Sequence, residues 1–589
     1  MKIPITRVVF DEHERRLIQA PLETGWVVQG PYVKPFEEKF AWFTGAQCAV
    51  ATTSCTTALH LALAALGVGP GDEVIVPAFT WVSTANVAVF QGATPVFCDI
   101  DLDTFNLDPQ KLEAKITPRT KVIIPVHLFG LAAEMNPIMQ MARGHGLYVV
   151  EDAASGFGAY YRGVHVGTFG EAGCFSFHPL KAITTGEGGI TQDAERGVLG
   201  RTLRDHGASD LARHTGKALL APSSIPLSRP SILESDIERV CEVLRSGQLV
   251  QGQYVRLLEE HVAQFVGVRE TKAVASGTAA LHLALLALGV GPGDEVIVPA
   301  FSFVATANVV ELVGATPIFV DIDLKTFNID PEQVEVAISP RTRAIMPVHE
   351  FGLACEIERI VALAERHGLP VVEDAACALG ATSGGRQAGS FGMIGCFSLH
   401  PRKTITSGEG GLVVTHDEAL AHRVDMLRNH GIGQVDGKKA FVCVGYNYRL
   451  TDFQGALVYA QALRLEENLA YRARLAATYE EVLLHPHVTL PSTPPGKGHS
   501  WQTYHVLLDD RIDRTDLMTY LQARGVQTGL GAQCIPEQPF YREKYALDVE
   551  RKFPNALRAY RQGLALPLAE TLTKEEITYV AAQLNAYTA

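Results

Sequence analysis

The sequence contains two long copies of one segment. Residues 3–189 align with residues 225–411 at a constant offset of 222 and without a gap. The string GVGPGDEVIVPAF, for example, occurs at Gly67–Phe79 and again at Gly289–Phe301. Each copy is as long as an ordinary domain, so the repeat indicates a duplicated domain and excludes a solenoid of short units.

The two copies end differently. Arg204–Gly207 still matches Arg428–Gly431, but the similarity stops there, and the second copy continues into a segment that the first copy lacks. The sequence therefore predicts a truncated first unit at 1–220, a linker at 221–224, a second large unit at 225–444 and a C-terminal domain at 445–589.

Local patterns predict the class of each part. In both copies short β-rich runs, such as Glu73–Val76, Val122–Val126 and Tyr148–Val150, alternate with helical stretches, which is typical of an α/β unit with a mostly parallel sheet covered by helices on both faces. The C-terminal segment has two helical patterns, Leu465–Leu484 and Lys574–Tyr587, and a strand-like run, so we expect an α+β domain there. We expect ligands at the carboxyl ends of the parallel strands.

Composition narrows the kind of partner. Among the 589 residues the formal net charge is −13, and no basic cluster of the kind that binds nucleic acid is present. No apolar run is long enough to span a membrane and the N-terminus has no signal-like apolar stretch, so we expect a cytoplasmic protein. The ten cysteines form no CxxC pair, which favours reduced thiols over disulfides or a metal site. A small molecule is the expected partner.

One candidate for phosphate binding lies at a helix start. Ser276–Ala280 follows a strand-like run and opens a helical stretch, and Ser54–Thr57 is its counterpart, with Cys55 in place of Gly277. A turn of small residues before a helix presents unpaired N–H groups to a phosphate. A Ser or Thr in this position is more often an N-cap alone.

An acid and a lysine follow in the same order in both copies. Asp374 and Asp152 end apolar strand-like runs, where a carboxylate can pair with a protonated heterocyclic nitrogen or can cap the next helix. Lys403 and Lys181 lie in segments rich in glycine and hydroxyl groups, and a lysine in a confined pocket can lose its proton and form a Schiff base.

These motifs resemble the DegT/DnrJ/StrS family of fold-type I, pyridoxal-phosphate-dependent aminotransferases. GDEVIVPAF, VVEDAA, CFSxHPxKxITxGEGG and GYNYRLTDFQGA stand in family order, over nearly all of the second copy and the large-domain part of the first. The resemblance implies two tandem large domains and one small domain, with pyridoxal 5′-phosphate as cofactor. It implies transfer of an amino group from an amino-acid donor to a keto substrate through a lysine Schiff base, with a keto-sugar or sugar nucleotide among the candidate acceptors.

The resemblance also implies roles for single residues. Lys403 would carry the cofactor, Asp374 would face its ring nitrogen and Phe303 would stack on its ring. The phosphate would be bound by Gly277, Thr278 and Ser398, and by Asn447 acting on the site of a neighbouring subunit. The corresponding residues of the first copy are Lys181, Asp152, Trp81, Cys55, Thr56 and Ser176, with no equivalent of Asn447.

Two departures keep alternatives open. Cys377 and Ser155 stand where the family commonly has Gln or His near the cofactor's phenolic oxygen, and Val526–Cys534 lacks the histidines of the family's GxxTGxH element. The acceptor therefore stays open. So do an elimination reaction on the same cofactor and a regulatory or structural role without catalysis, above all for the first copy.

The assembly has two possible forms. Family members resemble one another in forming dimers whose active sites lie at the shared interface. The two copies can pair within the chain as a pseudo-dimer, so that Asn447 serves the Lys181 site, or two second copies can pair between chains in a homodimer. We favour the intrachain pseudo-dimer, because the first copy keeps its pocket residues.

Overall fold

A computed structural model describes Thr6, residues 8–193 and residues 224–588. The match at Arg204–Gly207, the predicted end of the first unit at 220 and all of the predicted linker except Ser224 lie outside these residues.

The first copy contains a seven-stranded sheet. In spatial order its strands are Cys48–Thr52, Gly189–Asp193, Ala172–Ser176, Tyr148–Asp152, Thr120–Ile123, Glu73–Pro77 and Thr94–Cys98. The first two neighbouring pairs are antiparallel and the remaining pairs are parallel. Central residues such as Val74, Ile75 and Val76 are fully buried, as expected for a parallel sheet with helices on both faces.

The second copy repeats this strand order. Its strands are Glu270–Val274, Gly411–Thr415, Ile394–Ser398, Val372–Asp374, Thr342–Ile345, Glu295–Pro299 and Thr316–Val320. Bridges from Ile345 to Val371 and from Val348 to Asp374 join the two parts of this sheet. The predicted fold class is confirmed for both copies.

The helices of the two copies also correspond. In the first copy they are Glu12–Thr24, Val33–Thr44, Cys55–Ala65, Ser83–Phe90, Pro109–Leu112 and Met135–His145. In the second they are Glu234–Ser246, Gln253–Val266, Gly277–Ala287, Ala305–Leu312, Pro331–Ala337, Ile357–Arg366 and Glu418–Arg428. The first-copy counterpart of Glu418–Arg428 lies outside the described residues. The short 3-10 helices Leu128–Gly130 and Glu350–Gly352 follow equivalent strands.

The C-terminal part is α+β, as predicted. Its helices are Asp452–Ala462, Leu465–Val482, Arg514–Gln522, Pro539–Tyr545, Val549–Lys552, Pro554–Gln562 and Lys574–Asn585, and its longer strands are Tyr504–Leu508 and Gly563–Leu566. Asp452–Ala462 packs on two helices of the second copy, Glu234–Ser246 and Gln253–Val266. Leu465–Val482, Arg514–Gln522 and Lys574–Asn585 build a separate core around Tyr479, Tyr504 and Ile577, whereas the three helices between Pro539 and Gln562 pack into the core of the second copy.

The two copies pack against each other through reciprocal contacts. Gln19 Nε2 lies 3.4 Å from Sγ of its own counterpart, Cys241. Val27 packs closely on Gly408, and the equivalent pair, Leu249 and Gly186, is also in contact. When residue i of one copy meets j of the other and j meets i, the interface has an approximate two-fold axis.

An aromatic cluster is covered in the second copy and exposed in the first. Phe301, Phe327 and Phe351 are buried beneath the C-terminal domain, where His505 stacks on Phe351 with ring centroids 4.2 Å apart. Their counterparts Phe79, Phe105 and Phe129 are 49%, 43% and 76% exposed. The first copy is therefore open on the side where the second copy is closed.

None of the helices in the described part of the chain combines the length and the hydropathy that a membrane span needs.

Candidate active site

The candidate residues of the first copy line one large cavity. The cavity has a volume of about 1030 Å³ and is lined by Cys55, Thr56, Trp81, Asp152, Ser155, Ser176 and Lys181, together with residues of the second copy. Asp152 ends a buried parallel strand and Ser176 ends the next strand of the sheet. The cavity thus lies at the carboxyl ends of the strands, as predicted.

Lys181 and Asp152 are held by short polar contacts. Lys181 Nζ donates to Ser155 Oγ at 2.8 Å. Asp152 Oδ2 accepts from Thr84 Oγ1 at 2.7 Å, and its Oδ1 accepts from the Ala154 N–H at 3.1 Å. Burial raises the pKa of Asp152, while these two hydrogen bonds and the charge of Lys181 favour the carboxylate. The acid is therefore fixed in one orientation on the cavity wall.

The helix Cys55–Ala65 begins at the cavity. Ser54 caps it by accepting from the Thr57 N–H at 3.2 Å, so the predicted N-cap is present. Thr56 and Cys55 lie on the cavity wall next to this helix start. In the second copy a Cβ added to Gly277 would lie 2.8 Å from Cβ of Ser398. A side chain at position 277 would therefore displace Ser398, whereas the first copy accommodates Cys55 at the equivalent position on the cavity wall.

The second copy supplies another wall of the same cavity. Asn429, His430, Asn447 and Arg449 line it. Asn447 Nδ2 donates to Glu187 Oε2 at 2.8 Å, and Arg449 donates to Glu187 Oε1 through Nε at 2.8 Å and through Nη2 at 2.6 Å. Arg449 and Glu187 are 9% and 7% exposed, so this ion pair between the copies is buried.

His430 links the second copy to the helix starts of the first. Its Nδ1 lies 3.1 Å from Ser83 Oγ, which accepts from Thr56 Oγ1 at 3.0 Å. Its ring also meets Trp81 edge to face, at 5.4 Å between centroids. Burial lowers the pKa of His430 to about 3, so the imidazole is neutral and adds no charge to the cavity.

The Lys403 pocket has a similar inner geometry. Lys403 Nζ lies 2.9 Å from Cys377 Sγ, and Asp374 Oδ2 accepts from Thr306 Oγ1 at 2.8 Å. Ser398 ends the strand beside Asp374. Phe303 follows the short strand Phe301–Ser302 and is 62% exposed. Gly277 and Thr278 begin the equivalent helix, whose cap Ser276 accepts from the Ala279 N–H at 3.0 Å.

The two pockets differ in what reaches them from the opposite copy. Glu409 is the counterpart of Glu187, and burial raises its pKa without a cation against it among the described residues. Asn447 lies on the Lys181 cavity. The described part of the chain therefore gives the Lys181 cavity a wall from the other copy that includes an asparagine and an arginine.

Four residues that lie on the cavity wall or are bonded to groups on it were not predicted as site residues. Thr84, Glu187, His430 and Arg449 became visible only through their contacts. Arg449 and Glu187 do lie inside the motifs GYNYRLTDFQGA and GEGG. Nothing in the local sequence pairs them, because the contact joins residues 262 positions apart.

The donor set of the cavity fits pyridoxal phosphate. A lysine for the aldehyde, a buried acid for the ring nitrogen and an aromatic side chain for the ring line the same space. Hydroxyl groups of Thr56 and Ser176 and a helix start suit the phosphate. Asn447 Oδ1 is buried on this wall without a hydrogen-bond partner among the described residues, which leaves an acceptor for an N–H or O–H donor of a ligand.

Comparison with solved structures finds several proteins that are similar to this chain. A Streptococcus pneumoniae protein described as a sugar aminotransferase is 28% identical, over 62% of this chain and 97% of the other, with a TM-score of 0.59. DesV of S. venezuelae is 35% identical, over 59% of this chain and 93% of the other, with a TM-score of 0.56. PseC of Helicobacter pylori, an aminotransferase involved in the biosynthesis of pseudoaminic acid, is 29% identical, over 62% and 98%, with a TM-score of 0.59.

The model of the DegT/DnrJ/EryC1/StrS aminotransferase family matches the chain twice, at residues 9–220 and 230–585. The chain belongs to this family and is a pyridoxal-phosphate-dependent aminotransferase with two tandem copies of the family's large unit.

Proposed function

We propose that the chain transfers an amino group from an amino-acid donor to a keto-sugar, and that the Lys181 cavity is where it does so. The observation that carries this proposal is the composition of the cavity. The cavity is lined by lysine, acid, aromatic and hydroxyl groups of the first copy together with Asn447 and Arg449 of the second copy.

In this proposal the chain's own residues hold the cofactor and move one proton. Pyridoxal phosphate, when bound, supplies an electron sink for the carbon that bears the amino group. Lys181 acts as the base that takes the proton from that carbon of the donor and returns it to the acceptor. Asp152 keeps the ring nitrogen protonated, since its carboxylate is fixed by Thr84 and Ala154. Ser155 orients the lysine.

Asn447 and the first helix of the cavity would share the phosphate. Asn447 Nδ2 donates one of its two N–H groups to Glu187 Oε2, and the other N–H is the donor that a phosphate oxygen would need. Thr56 and Ser176 supply hydroxyl groups on the opposite wall. This division of labour makes the intrachain pseudo-dimer the functional unit in our proposal.

The size and rim of the cavity support a sugar acceptor. A volume of about 1030 Å³ exceeds what a small oxo acid needs, and the exposed rings of Phe79 and Phe129 lie on its lining. The related proteins described above include aminotransferases of sugars. The proposed donor is an amino acid. Removal of its amino group would use the same lysine and acid as the transfer of that group to the acceptor.

The test follows each half-reaction in single turnover. Wild-type, Lys181→Ala and Lys403→Ala proteins are loaded with pyridoxal phosphate, treated with L-glutamate and then with a nucleotide-linked keto-sugar or a simple 2-oxo acid. We expect the visible band to be lost with glutamate and restored by the keto-sugar in wild type and Lys403→Ala. We expect Lys181→Ala to be slower by about 100-fold or more.

Equal rates in the Lys181→Ala and wild-type proteins would contradict the choice of cavity. Restoration of the band by the 2-oxo acid alone would contradict the sugar acceptor while leaving the transfer reaction intact.

A further inference from the structure

Lys403 and Cys377 form a contact that the proposed transfer reaction does not use. Lys403 Nζ donates to Cys377 Sγ at 2.9 Å. This separation is typical of an N–H···O bond, although sulfur is a larger atom than oxygen. In the first copy the same contact is made to a hydroxyl group, because Ser155 replaces the cysteine and accepts from Lys181 Nζ at 2.8 Å. The two copies therefore hold their lysines in the same way, but the second copy holds its lysine against an atom that can be oxidised.

The C-terminal domain fixes both partners of this contact. The carbonyl group of Cys377 accepts a hydrogen bond from Ser500 Oγ at 3.2 Å. Gln502 Nε2 donates to the carbonyl group of Arg402, the residue before Lys403, at 2.8 Å. The backbones that carry the thiol and the amine are thus attached to one short segment, so a reaction between the two groups needs no large rearrangement.

The surroundings of the Cys377 thiol decide when it can react. Cys377 and Lys403 are both partly buried, so a molecule as small as hydrogen peroxide has access to them. Burial raises the pKa of the Cys377 thiol, and the charge of Lys403 opposes this. The charge of Glu350, a buried carboxyl group whose Oε2 has no hydrogen-bond partner among the described residues, also raises the pKa of the thiol. Since the thiolate is the form that attacks an oxidant, oxidation is slow at neutral pH and faster at alkaline pH.

We propose that Cys377 and Lys403 are a modification site, at which hydrogen peroxide causes Sγ and Nζ to join in a sulfenamide. In the first step the sulfur takes one oxygen atom from the peroxide and becomes a sulfenic acid, and the remainder of the peroxide leaves as water. The sulfur loses two electrons and the peroxide gains them. In the second step Nζ attacks Sγ, the S–N bond forms and the S–O bond breaks. The hydroxyl group leaves with a proton of the amine as a second water, and this condensation exchanges no electrons with any other group.

The link removes the amine that a Schiff base needs. A joined Lys403 binds no aldehyde until two molecules of a thiol cleave the S–N bond, restore the amine and the Cys377 thiol, and leave as a disulfide. Lys181 stays free, because the Ser155 hydroxyl group cannot form a sulfenic acid. Oxidation therefore closes the Lys403 pocket to the cofactor and leaves the Lys181 cavity open. This consequence, unlike the link itself, depends on Lys403 binding the cofactor.

The test looks for the link in the full-length, cofactor-free protein. Wild-type protein is treated with hydrogen peroxide at about pH 7 and about pH 9, below and above the ordinary pKa of a thiol. The reaction is stopped with catalase and the protein is digested without a reductant. We expect mass spectrometry to find a peptide containing Cys377 joined to a peptide containing Lys403, two hydrogen atoms lighter than their sum and more abundant at the higher pH. Dithiothreitol should release both peptides unmodified.

Two matched variants and a cofactor measurement complete the design. Cys377→Ser, which copies the first pocket, should lose the joined peptides, and Ser155→Cys should give a second joined pair at Lys181. Oxidised and untreated wild type are then incubated with pyridoxal phosphate, freed of unbound cofactor and reduced with borohydride. We expect the adduct on Lys403 to fall in proportion to the joined fraction and the adduct on Lys181 to stay unchanged.

Three results would overturn the proposal. The first is a Cys377 that stays a free thiol at both pH values. The second is a Cys377 recovered only as a sulfinic acid or in a disulfide. The third is a joined pair that keeps an extra oxygen atom, because the second step expels that atom as water.

Discussion

At the scale of single residues, the two pockets share the lysine and the acid and differ at several other positions. Gly277, Cys377 and Glu350 of the second copy are replaced by Cys55, Ser155 and Leu128 in the first. Cys55 lies on the wall of the Lys181 cavity, and Ser155 and Cys377 each contact the lysine of their own copy, while the lysine and the acid are present in both copies. We therefore expect the pockets to differ in cofactor affinity more than in the kind of chemistry they can perform.

Cys55 should weaken cofactor binding at Lys181. Its side chain lies on the cavity wall at the helix start, where the second copy has Gly277, so we expect Cys55→Gly to relieve crowding around the phosphate and to lower the Kd of the Lys181 site about tenfold. Titration of cofactor-free protein with pyridoxal phosphate, followed by mapping of the reduced adduct, measures this. The reverse change, Gly277→Cys, should weaken the Lys403 site; tighter binding there would contradict the steric explanation.

Glu350 should make stability depend on pH. Its pKa is raised to about 8 in the fold, so the folded protein binds a proton that the unfolded chain releases above the ordinary glutamate range. Stability contributed by the neutral acid is thus present at low pH and is lost as the pH rises toward about 8. In cofactor-free Glu350→Leu we expect Tm to exceed that of wild type by about 2–4 °C at pH 8 and by less at pH 5. A constant difference at all pH values would contradict this explanation.

At the scale of secondary-structure elements, the segment from Gly445 to Thr451 joins the two copies. It carries Asn447 and Arg449 to Glu187, and the Gly445 carbonyl accepts from Asn86 Nδ2 at 3.2 Å. Next to it Tyr446 stacks on Phe90 with centroids 4.1 Å apart and planes 7° apart. This segment therefore contributes to the cavity wall and to the contact between the copies at once.

Loss of Arg449 should destabilise this contact. Arg449→Ala leaves the Glu187 carboxylate buried without its cation, which we expect to cost about 3 kcal/mol and to lower the thermal midpoint of the contact. In Arg449→Ala/Glu187→Ala the unpaired charge is gone, so part of the loss should be recovered. Calorimetry of the single and double variants tests this, and a double variant no more stable than the single one would argue against a buried ion pair.

Helices and strands could be predicted well from the sequence, because the spacing of apolar residues and the helix caps involve only residues that are neighbours in the chain. The strand predicted at Tyr148–Val150 is present within Tyr148–Asp152, and the helix predicted at Leu465–Leu484 spans Leu465–Val482. The strand predicted at Val122–Val126 instead spans Thr120–Ile123, since Pro125 has no N–H to continue the ladder.

The sequence predicts the site residues that belong to one copy but not the contacts that form between the two copies. Lys181, Asp152 and Trp81 were found because their motifs lie in one continuous segment, and the structure brings them to one cavity. Contacts between copies, such as His430 with Ser83, depend on how two folded units pack, and no local pattern encodes that packing. The orphaned oxygen of Glu350 likewise depends on the position of the C-terminal domain.

At the scale of the whole molecule, the reciprocal contacts arrange the two copies about an approximate two-fold axis within a single chain. Gln19 meets its counterpart Cys241, and the pairs Val27–Gly408 and Leu249–Gly186 repeat one contact on both sides of the approximate axis. The symmetry is broken by the C-terminal part, which follows the second copy. We therefore propose that the Lys181 cavity is completed within the chain, while the Lys403 pocket lacks an Asn447 equivalent from the first copy.

The central claim, that Asn447 of the second copy serves the Lys181 site, is tested most directly by locating the cofactor. Wild-type and Asn447→Ala proteins are loaded with pyridoxal phosphate and reduced with borohydride, and mass spectrometry measures the adduct on peptides containing Lys181 and Lys403. Asn86→Ala, which removes a hydrogen bond between the copies outside the cavity lining, is the control. We predict that Asn447→Ala weakens retention at Lys181 about tenfold and leaves Lys403 unchanged; selective loss of the Lys403 adduct would contradict the account and indicate pairing of second copies between chains.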